Sequence, residues 1–476
     1  MRASTVSTRL AGALLFILFA VNVYRAATQS FTTDEAFTYN SFVDAPLADM
    51  FARYDTNNHV LNTLLEKVSA LCFGVSEFSL RLPSVLFGGG LYLFAVWALC
   101  RRVFGSGALF VTGVALLSLN PLVLDFLSAA RGYGMALAFW MWALVFVLDC
   151  LEEPAGPQPV KLNLAAVALA LSVCANLAFL LLAISTAVAF STLWLFDRGG
   201  GRPNRLALLA DRFILPGLAV AFVILLVPLN RAVPDNFYYG ARDLQGALYS
   251  LIESSIFYDA ARRPPFIRTI QADISIAVVV LLGATGVVCL WLLAHRGGKG
   301  RGATFFLLAG ITAVLTLALT IAAHRWLRMP YPLVRTAIYW IPLLSAIALT
   351  LPALSRNRGA IAASLGVAGC VVAVYIWQFQ TRVYAEWTED ATARTVARRL
   401  QRETGNWPVK ISSSKTAQQT MEFYRRRLGM TRWQPIEPLR PDVRADYYVL
   451  LPPDAGLVRQ RNLAVLLRSG SLLLAR

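Results

Sequence analysis

Residues 31–39 read Phe31-Thr32-Thr33-Asp34-Glu35-Ala36-Phe37-Thr38-Tyr39, with two adjacent carboxylates in an otherwise uncharged stretch. They stand shortly beyond an apolar run, Leu10–Val23, which Arg2 and Arg9 precede. Basic residues before an apolar run resemble a secretion signal, but Tyr24-Arg25-Ala26 offers no small-x-small cleavage pattern. The run is therefore read as a retained first membrane helix. The acidic pair opens a polar stretch from Thr28 to about Leu80, and the chain from there to about Gln378 reads as membrane helices joined by short loops.

Composition agrees. Of 476 residues, 57% are hydrophobic and 15% charged, against about 25% charged in soluble globular chains. Several apolar runs exceed the roughly 18 residues that suffice to cross a bilayer. This predicts a mainly α, polytopic membrane protein. The formal net charge is +17, but the basic residues lie mostly in short loops between apolar runs or in the C-terminal tail. That placement fits topology signals and attraction to anionic headgroups, and it excludes nucleic acid as the expected partner. The six cysteines (Cys72, Cys100, Cys150, Cys174, Cys289, Cys370) mostly sit in or at the ends of apolar runs, and none forms a CxxC. Disulfides and a cysteine zinc site are not expected. His59, His295 and His324 have no ligand spacing, so no histidine metal site is expected either.

Working outward from the acidic pair, Val60–Phe73 carries Leu61, Leu64, Leu65, Val68, Leu71 and Cys72 at helical spacing. It is too short and too polar to span, and is read as an interfacial helix on the bilayer. Membrane runs follow at Leu82–Cys100, Ala108–Leu127 (interrupted by Asn120-Pro121) and Tyr133–Leu151. Leu162–Phe196 is too long for one helix and suits two joined near Asn176. Further runs are Phe213–Leu229, Ile274–Ala294, Thr304–Ala323, Thr336–Leu354 and Ala360–Trp377. This makes about 11 transmembrane helices. The loops Arg101-Arg102, Arg198–Arg205, His295–Arg301 and Arg356–Arg358 are short and basic. With that helix count they share the N-terminus's side, so the positive-inside rule makes it cytoplasmic. The 28–81 loop, the 231–273 loop, the 324–335 loop and the tail then face outward.

Two domains are expected: a transmembrane domain over 1–379, whose first outer loop, 28–81, carries the acidic pair, and an extracytoplasmic soluble α/β domain over 380–476. In the latter, Thr388-Glu389-Asp390 starts a helix through Leu400, and a second helix covers Gln418–Leu428. Val409–Ser412, Tyr447–Leu451 and Leu463–Leu467 read as strands.

A carboxylate at a membrane–water boundary can take a proton from an attacking hydroxyl and so act as a general base. Residue types alone favour the simpler reading of Asp34-Glu35, a solvated pair in a loop. Three segments in order change that: Thr33-Asp34-Glu35-Ala36; Asp55-Thr56-Asn57-Asn58-His59-Val60-Leu61; and Ser76-Glu77-Phe78-Ser79-Leu80-Arg81-Leu82-Pro83-Ser84-Val85-Leu86-Phe87-Gly88. Together they resemble the N-terminal third of the GT-C glycosyltransferases, in the PMT-like branch. That branch includes protein O-mannosyltransferases, lipid A aminoarabinose transferases and bacterial lipid-linked sugar transferases. Its pattern is an acidic pair in the first outer loop, an Asn/Asp-x-His-Pro segment, and a Glu-Phe-x-x-Arg-Leu-Pro-Ser stretch opening the second membrane helix. The likeness extends more loosely to Tyr133 and Tyr339, and the tail carries none of it.

The resemblance implies transfer, with inversion, of a sugar from a polyprenyl-phosphate carrier to an envelope glycan, lipid or protein acceptor outside the cytoplasmic (inner) membrane. It implies no cofactor beyond the lipid-linked donor. Asp34 would be the catalytic base and Glu35 would orient it or line the site. His59 would sit at the mouth of the cavity, or be a hydrogen-bonded loop histidine. Arg81 would bind phosphate, or simply fix a helix end at the headgroups. Arg131 and Tyr133 match the family's Ser-x-Glu-Ala-Arg-x-Tyr turn with one shift in spacing, but the acid is missing. Asp125, one to two turns earlier, is the candidate substitute, and an ion pair with Arg131 is the plainer alternative for both. Arg335 would hold the lipid phosphate, which a guanidinium binds bidentately and whose developing charge it offsets. Arg325 and Arg328 are weaker candidates. Tyr238, Tyr239, Asp243 and Tyr258 are possible contacts to sugar or acceptor.

The sequence has no Walker A motif and no DxD in the outer loops, which argues against ATP-driven export and nucleotide-sugar donors. Two other readings stay open: a transporter or flippase for a lipid-linked sugar, and a non-catalytic scaffold of the same fold. A transporter would carry charges near helix midpoints and show pseudo-symmetric halves.

Overall fold

The computed structural model describes residues 2–52, 55–152, 159–196, 205–233, 239–258, 266–295, 300–355, 357–440 and 442–476. The chain is a mainly α-helical, polytopic membrane protein with a small C-terminal sheet. Among the described residues, nine helices are long and apolar enough to cross a membrane: Thr5–Thr28, Glu77–Phe104, Gly132–Glu152, Leu177–Leu195, Arg205–Leu229, Ile267–Ala294, Arg301–Leu327, Val334–Leu354 and Arg358–Gln378. Two shorter apolar helices, Ala108–Ser118 and Pro159–Ala175, account for the remaining expected runs.

Both anticipated breaks lie at asparagines, for one physical reason. Asn120 accepts the Val123 N–H at 3.1 Å and caps the short helix Pro121–Phe126, which has proline at its first turn. Asn176 accepts the Ala178 N–H at 2.9 Å and starts the turn that leads into Leu180–Phe196. A side-chain acceptor at a helix start satisfies a donor that would otherwise be stranded in an apolar setting.

The contacts divide the described residues into two compact units. The first comprises 1–22, 59–61 and 84–379. In it Gly132–Glu152 packs on Pro159–Ala175 and on Leu91–Phe104, and Leu180–Phe196 packs on Arg301–Leu327. Several polar side chains within these helices bond across or along them. Trp140 donates to Thr186 Oγ1 at 3.0 Å, Ser172 to the Ala136 carbonyl at 2.8 Å, and Tyr92 to the Leu117 carbonyl at 2.8 Å.

The second unit gathers 23–58, 62–83 and 380–476. The acid-bearing loop thus packs with the C-terminal segment. The sheet holds β1 (Ile411–Ser413), β2 (Glu437–Pro438), β3 (Tyr447–Leu450), β4 (Val465–Ser469) and β5 (Leu472–Ala475) in the order β2-β1-β3-β5-β4. β1 is parallel to β2 and β3, with Ser412 paired to Glu437 and to Tyr448, whereas β5 runs antiparallel to β3 and β4. Central strands β1, β3 and β5 are buried throughout, while edge strand β4 is partly exposed. Tyr448, Leu450, Leu473 and Ala475 form a core with Leu439, Leu457 and Leu463. Helices Ala393–Thr404 and Lys415–Arg427 also pack on the sheet.

Helix Val60–Phe73 has the expected boundaries. Asn62, Thr63, Glu66 and Ser69 are buried, as are Val60 and Leu61, with Asn62 bonded to Glu66, while Val68, Leu71 and Phe73 are exposed. Outward apolar side chains are what a helix lying on a bilayer needs.

Candidate functional site

The acidic pair lies on helix Thr33–Thr38. Thr32 is its N-cap, and a capping box fixes the first turn: the Glu35 N–H donates to Thr32 Oγ1 at 3.3 Å, and the Thr32 N–H to Glu35 Oε2 at 2.8 Å. Glu35 also meets Arg81 side on, with Arg81 Nε donating to Oε1 at 2.8 Å and a terminal nitrogen to Oε2 at 2.6 Å. The rest of the guanidinium donates to the carbonyls of Gln29 and Ser30 at 2.8 Å and of Ala26 at 3.3 Å. Both side chains of the pair are fully buried.

A guanidinium has five N–H groups, and those of Arg81 are all committed within the protein, in keeping with its expected alternative of fixing a helix end. Glu35, expected to orient the base or line the site, is turned inward and holds the loop. The capping box leaves Asp34, one position earlier, only partly buried.

The C-terminal segment grips this helix. The Thr33 N–H donates to Asp390 Oδ2 at 2.6 Å, and Thr33 Oγ1 to the Thr416 carbonyl at 2.6 Å. The Phe31 N–H donates to the Tyr424 hydroxyl at 2.9 Å, and the Phe31 ring stacks on Phe423 at 4.2 Å. Tyr424 in turn donates to buried Glu77, which also receives Arg394 at 2.6 Å and Arg427. At the far end, Thr38 Oγ1 bonds the Asp34 carbonyl at 3.0 Å and the Asn57 carbonyl at 3.2 Å. Asp390 is a carboxylate that sequence reasoning assigned only to a helix start. Its other oxygen accepts from Thr420 Oγ1 at 3.0 Å. Burial pushes its pKa up to about 7; the bonds from Thr33 and Thr420 oppose the rise, and the charges of Asp34 and Glu35 add to it.

In the first unit, three expected residues share one electrostatic neighbourhood. His59 is 6% exposed, and its ring meets Tyr133 edge on at 5.1 Å. Its Nε2 is buried with no hydrogen-bond partner among the described residues. Burial holds the imidazole well below its usual range, and the charges of Arg131 and then Arg335 depress it further. His59 is therefore neutral at ordinary pH. Tyr133 packs against Phe126 at 4.8 Å. Arg131, 1% exposed, sits in the turn that enters Gly132–Glu152, and Asp125 is equally buried on the preceding short helix. The Asp125 carbonyl accepts the Ser128 and Ala129 N–H groups at 3.2 and 2.9 Å, which tightens that turn.

Glycines permit the close packing here. A Cβ on Gly132 would lie 1.9 Å from the Ala175 carbonyl oxygen and 3.0 Å from His59 Cβ. One on Gly134 would lie 2.1 Å from the Phe126 carbonyl oxygen. Gly132-Tyr133-Gly134 was therefore a readable signal for a backbone crossing beside the site.

Arg335 lies in a 3₁₀ turn, Val334–Ala337, with its guanidinium 4.7 Å from the Tyr239 ring centre. Val334 has φ 46°, a costly left-handed conformation for a β-branched residue. Neighbouring bonds hold the segment: the Leu333 N–H donates to Thr336 Oγ1 at 2.7 Å, and Ala241 and Tyr331 exchange bonds at 2.8 and 2.9 Å. Of the other candidates, Asp243 caps helix Leu244–Ile256 through Gly246, Tyr258 is buried, and Arg325 and Arg328 are exposed. Tyr238 lies outside the described residues.

No sequence-family profile matches the chain, and no curated protein matches it either. Solved structures do. ArnT from Cupriavidus metallidurans bound to undecaprenyl phosphate is 14% identical, at TM-score 0.47, over 99% of this chain and 98% of that one. Its apo form gives 13% and 0.49 over the same shares. The arabinosyltransferase EmbB from Mycobacterium smegmatis is 14% identical at TM-score 0.37, covering 80% of this chain and 42% of that one. The Archaeoglobus fulgidus oligosaccharyltransferase is 12% identical at 0.40, covering 90% and 64%.

Proposed function

We propose that this chain is a membrane glycosyltransferase that moves a sugar from a polyprenyl-phosphate carrier to a hydroxyl of an envelope glycan, lipid or protein at the outer face of the cytoplasmic membrane. The observation that carries the reading is His59, buried and neutral in the combined field of Arg131 and Arg335. Two permanent cations beside a neutral imidazole with an unused ring nitrogen suit an incoming phosphate. In the proposed step Asp34 takes the acceptor's proton. The acceptor oxygen bonds to the anomeric carbon with inversion, and the carbon–oxygen bond to phosphate breaks. The carrier phosphate leaves with the electron pair, and Arg131 and Arg335 counter its charge. A polyprenyl-phosphate donor needs no nucleotide site. Asp125 and Tyr133 support the turn that carries Arg131.

The test is transfer by purified protein with a panel of polyprenyl-phosphate sugars and envelope acceptors. A positioned general base contributes about 10²–10⁴-fold, so Asp34→Asn is expected to lower kcat by about 100-fold or more. Undiminished transfer by Asp34→Asn would sink the mechanism. Absence of transfer by the wild type with every donor would favour transport or a scaffold role instead.

A further inference from the structure

Asp390 stands out among the buried ionisable groups that the proposed reaction does not use. It lies 356 positions along the chain from Asp34, yet bonds the backbone of the residue next to it. Its two oxygens divide the work. Oδ2 takes the Thr33 N–H at 2.6 Å, in the first turn of the acid-bearing helix, and Oδ1 takes Thr420 Oγ1 at 3.0 Å, on helix Lys415–Arg427. Thr420 is completely buried, so the carboxyl group is clamped on one side by a residue with no room to move. Thr33 Oγ1 on the Thr416 carbonyl and Ser30 Oγ on the Ala391 carbonyl add bonds on either side of the same contact.

We propose that Asp390 is a positioning residue for Asp34: clamped by Thr420, it fixes the Thr33 N–H and hence the first helical turn, and its charge tunes Asp34 as a proton acceptor. The proposal rests on Asp34 being the base. The groups facing Asp390 are Asp34 and Glu35 on helix Thr33–Thr38, the neutral Thr420 on Lys415–Arg427, and Arg81, which neutralises Glu35. Repulsion between Asp34 and Asp390 is mutual, so a charged Asp390 strengthens Asp34 as a base. Asp390 titrates near 7: it is protonated below that pH and charged above it. Its contribution to the rate therefore appears as pH rises through about 7.

Two substitutions separate the bond from the charge. Asparagine can accept from Thr33 and donate to Thr420, so Asp390→Asn mimics the protonated form. Asp390→Ala removes both bonds. The full-length protein is purified in detergent and followed by hydrogen exchange over residues 31–40 and by kcat and KM for transfer across pH 5.5–8.5, a window of about 1.5 units on each side of that titration. Asp390→Ala is expected to speed exchange at Thr33 about tenfold and to lower kcat at least tenfold with KM little changed. Asp390→Asn is expected to keep wild-type exchange and lose the rise in kcat near pH 7. Wild-type exchange at Thr33 in the Ala variant, or wild-type kcat despite faster exchange, overturns the proposal. So does an Asn variant whose pH profile superimposes on the wild type. If instead Asp34→Asn is fully active in the same assay, the assignment of the base has failed, and the exchange arm still decides whether Asp390 holds the helix.

Discussion

Asp34 and Glu35 are chain neighbours with opposite fates, and Thr32 decides which is which. Once Thr32 caps the helix, the residue three positions on must reach back to close the box, so Glu35 turns inward onto Arg81 while Asp34 stays partly exposed. A fully buried ion pair is costly to halve, by about 3–5 kcal/mol when one partner is neutralised. Glu35→Gln is expected to lower stability by that order, seen as a lower Tm in detergent. Arg81→Lys should cost a similar amount, because a point ammonium cannot serve a carboxylate and three carbonyls at once. A Tm within a degree of the wild type for both variants would contradict this. The pairing spans 46 positions, and neither partner's local sequence announces it. Sequence reading therefore found both residues but not their pairing.

At the scale of elements, what local chemistry decides was legible and what distant partners decide was not. The bounds of Val60–Phe73 follow from its periodicity, and the breaks at Asn120 and Asn176 follow from capping. The tail's first α-helix begins at Ala393, and the acids at 388–390 lie instead in the 3₁₀ helix Ala385–Asp390 before it. β2 is two residues long, too short to leave a pattern. His59, Arg131 and Arg335 were legible as candidates through the family resemblance, but their convergence needed the fold. That convergence depends on helix Gly132–Glu152 lying hard against its neighbours. Gly134→Ala would drive a methyl into the Phe126 backbone and is expected to cost about 1–3 kcal/mol. It should also cut transfer by disturbing Tyr133 and Arg131. Gly286→Ala, with nothing within 4 Å, is the control: it should be neutral or slightly stabilising, by about 0.5–1 kcal/mol. Equal Tm values for the two variants would show that the close approach is not what fixes the turn.

For the whole molecule, the alternation of short basic loops with longer mixed ones argues for one orientation, with the N-terminus cytoplasmic. A reporter fused after Trp377 is expected to signal the outer side, and one inserted in the 101–107 connection the inner side. The reverse result would overturn the orientation and, with it, the proposed outer-face chemistry.

The second unit is assembled from both ends of the chain: 23–58 and 62–83 with 380–476. Synthesis runs from one end to the other, so the acid-bearing helix leaves the ribosome long before Asp390, Thr420 and Tyr424 exist to hold it. Its six residues are too few to stay helical alone. The capping box and Arg81 are in place early, but the contacts from Asp390, Thr420 and Tyr424 join only after about 350 further residues are made. The tail's grip on the acid-bearing helix is thus a last event of biogenesis, and a chain stopped short of its final hundred residues would lack it.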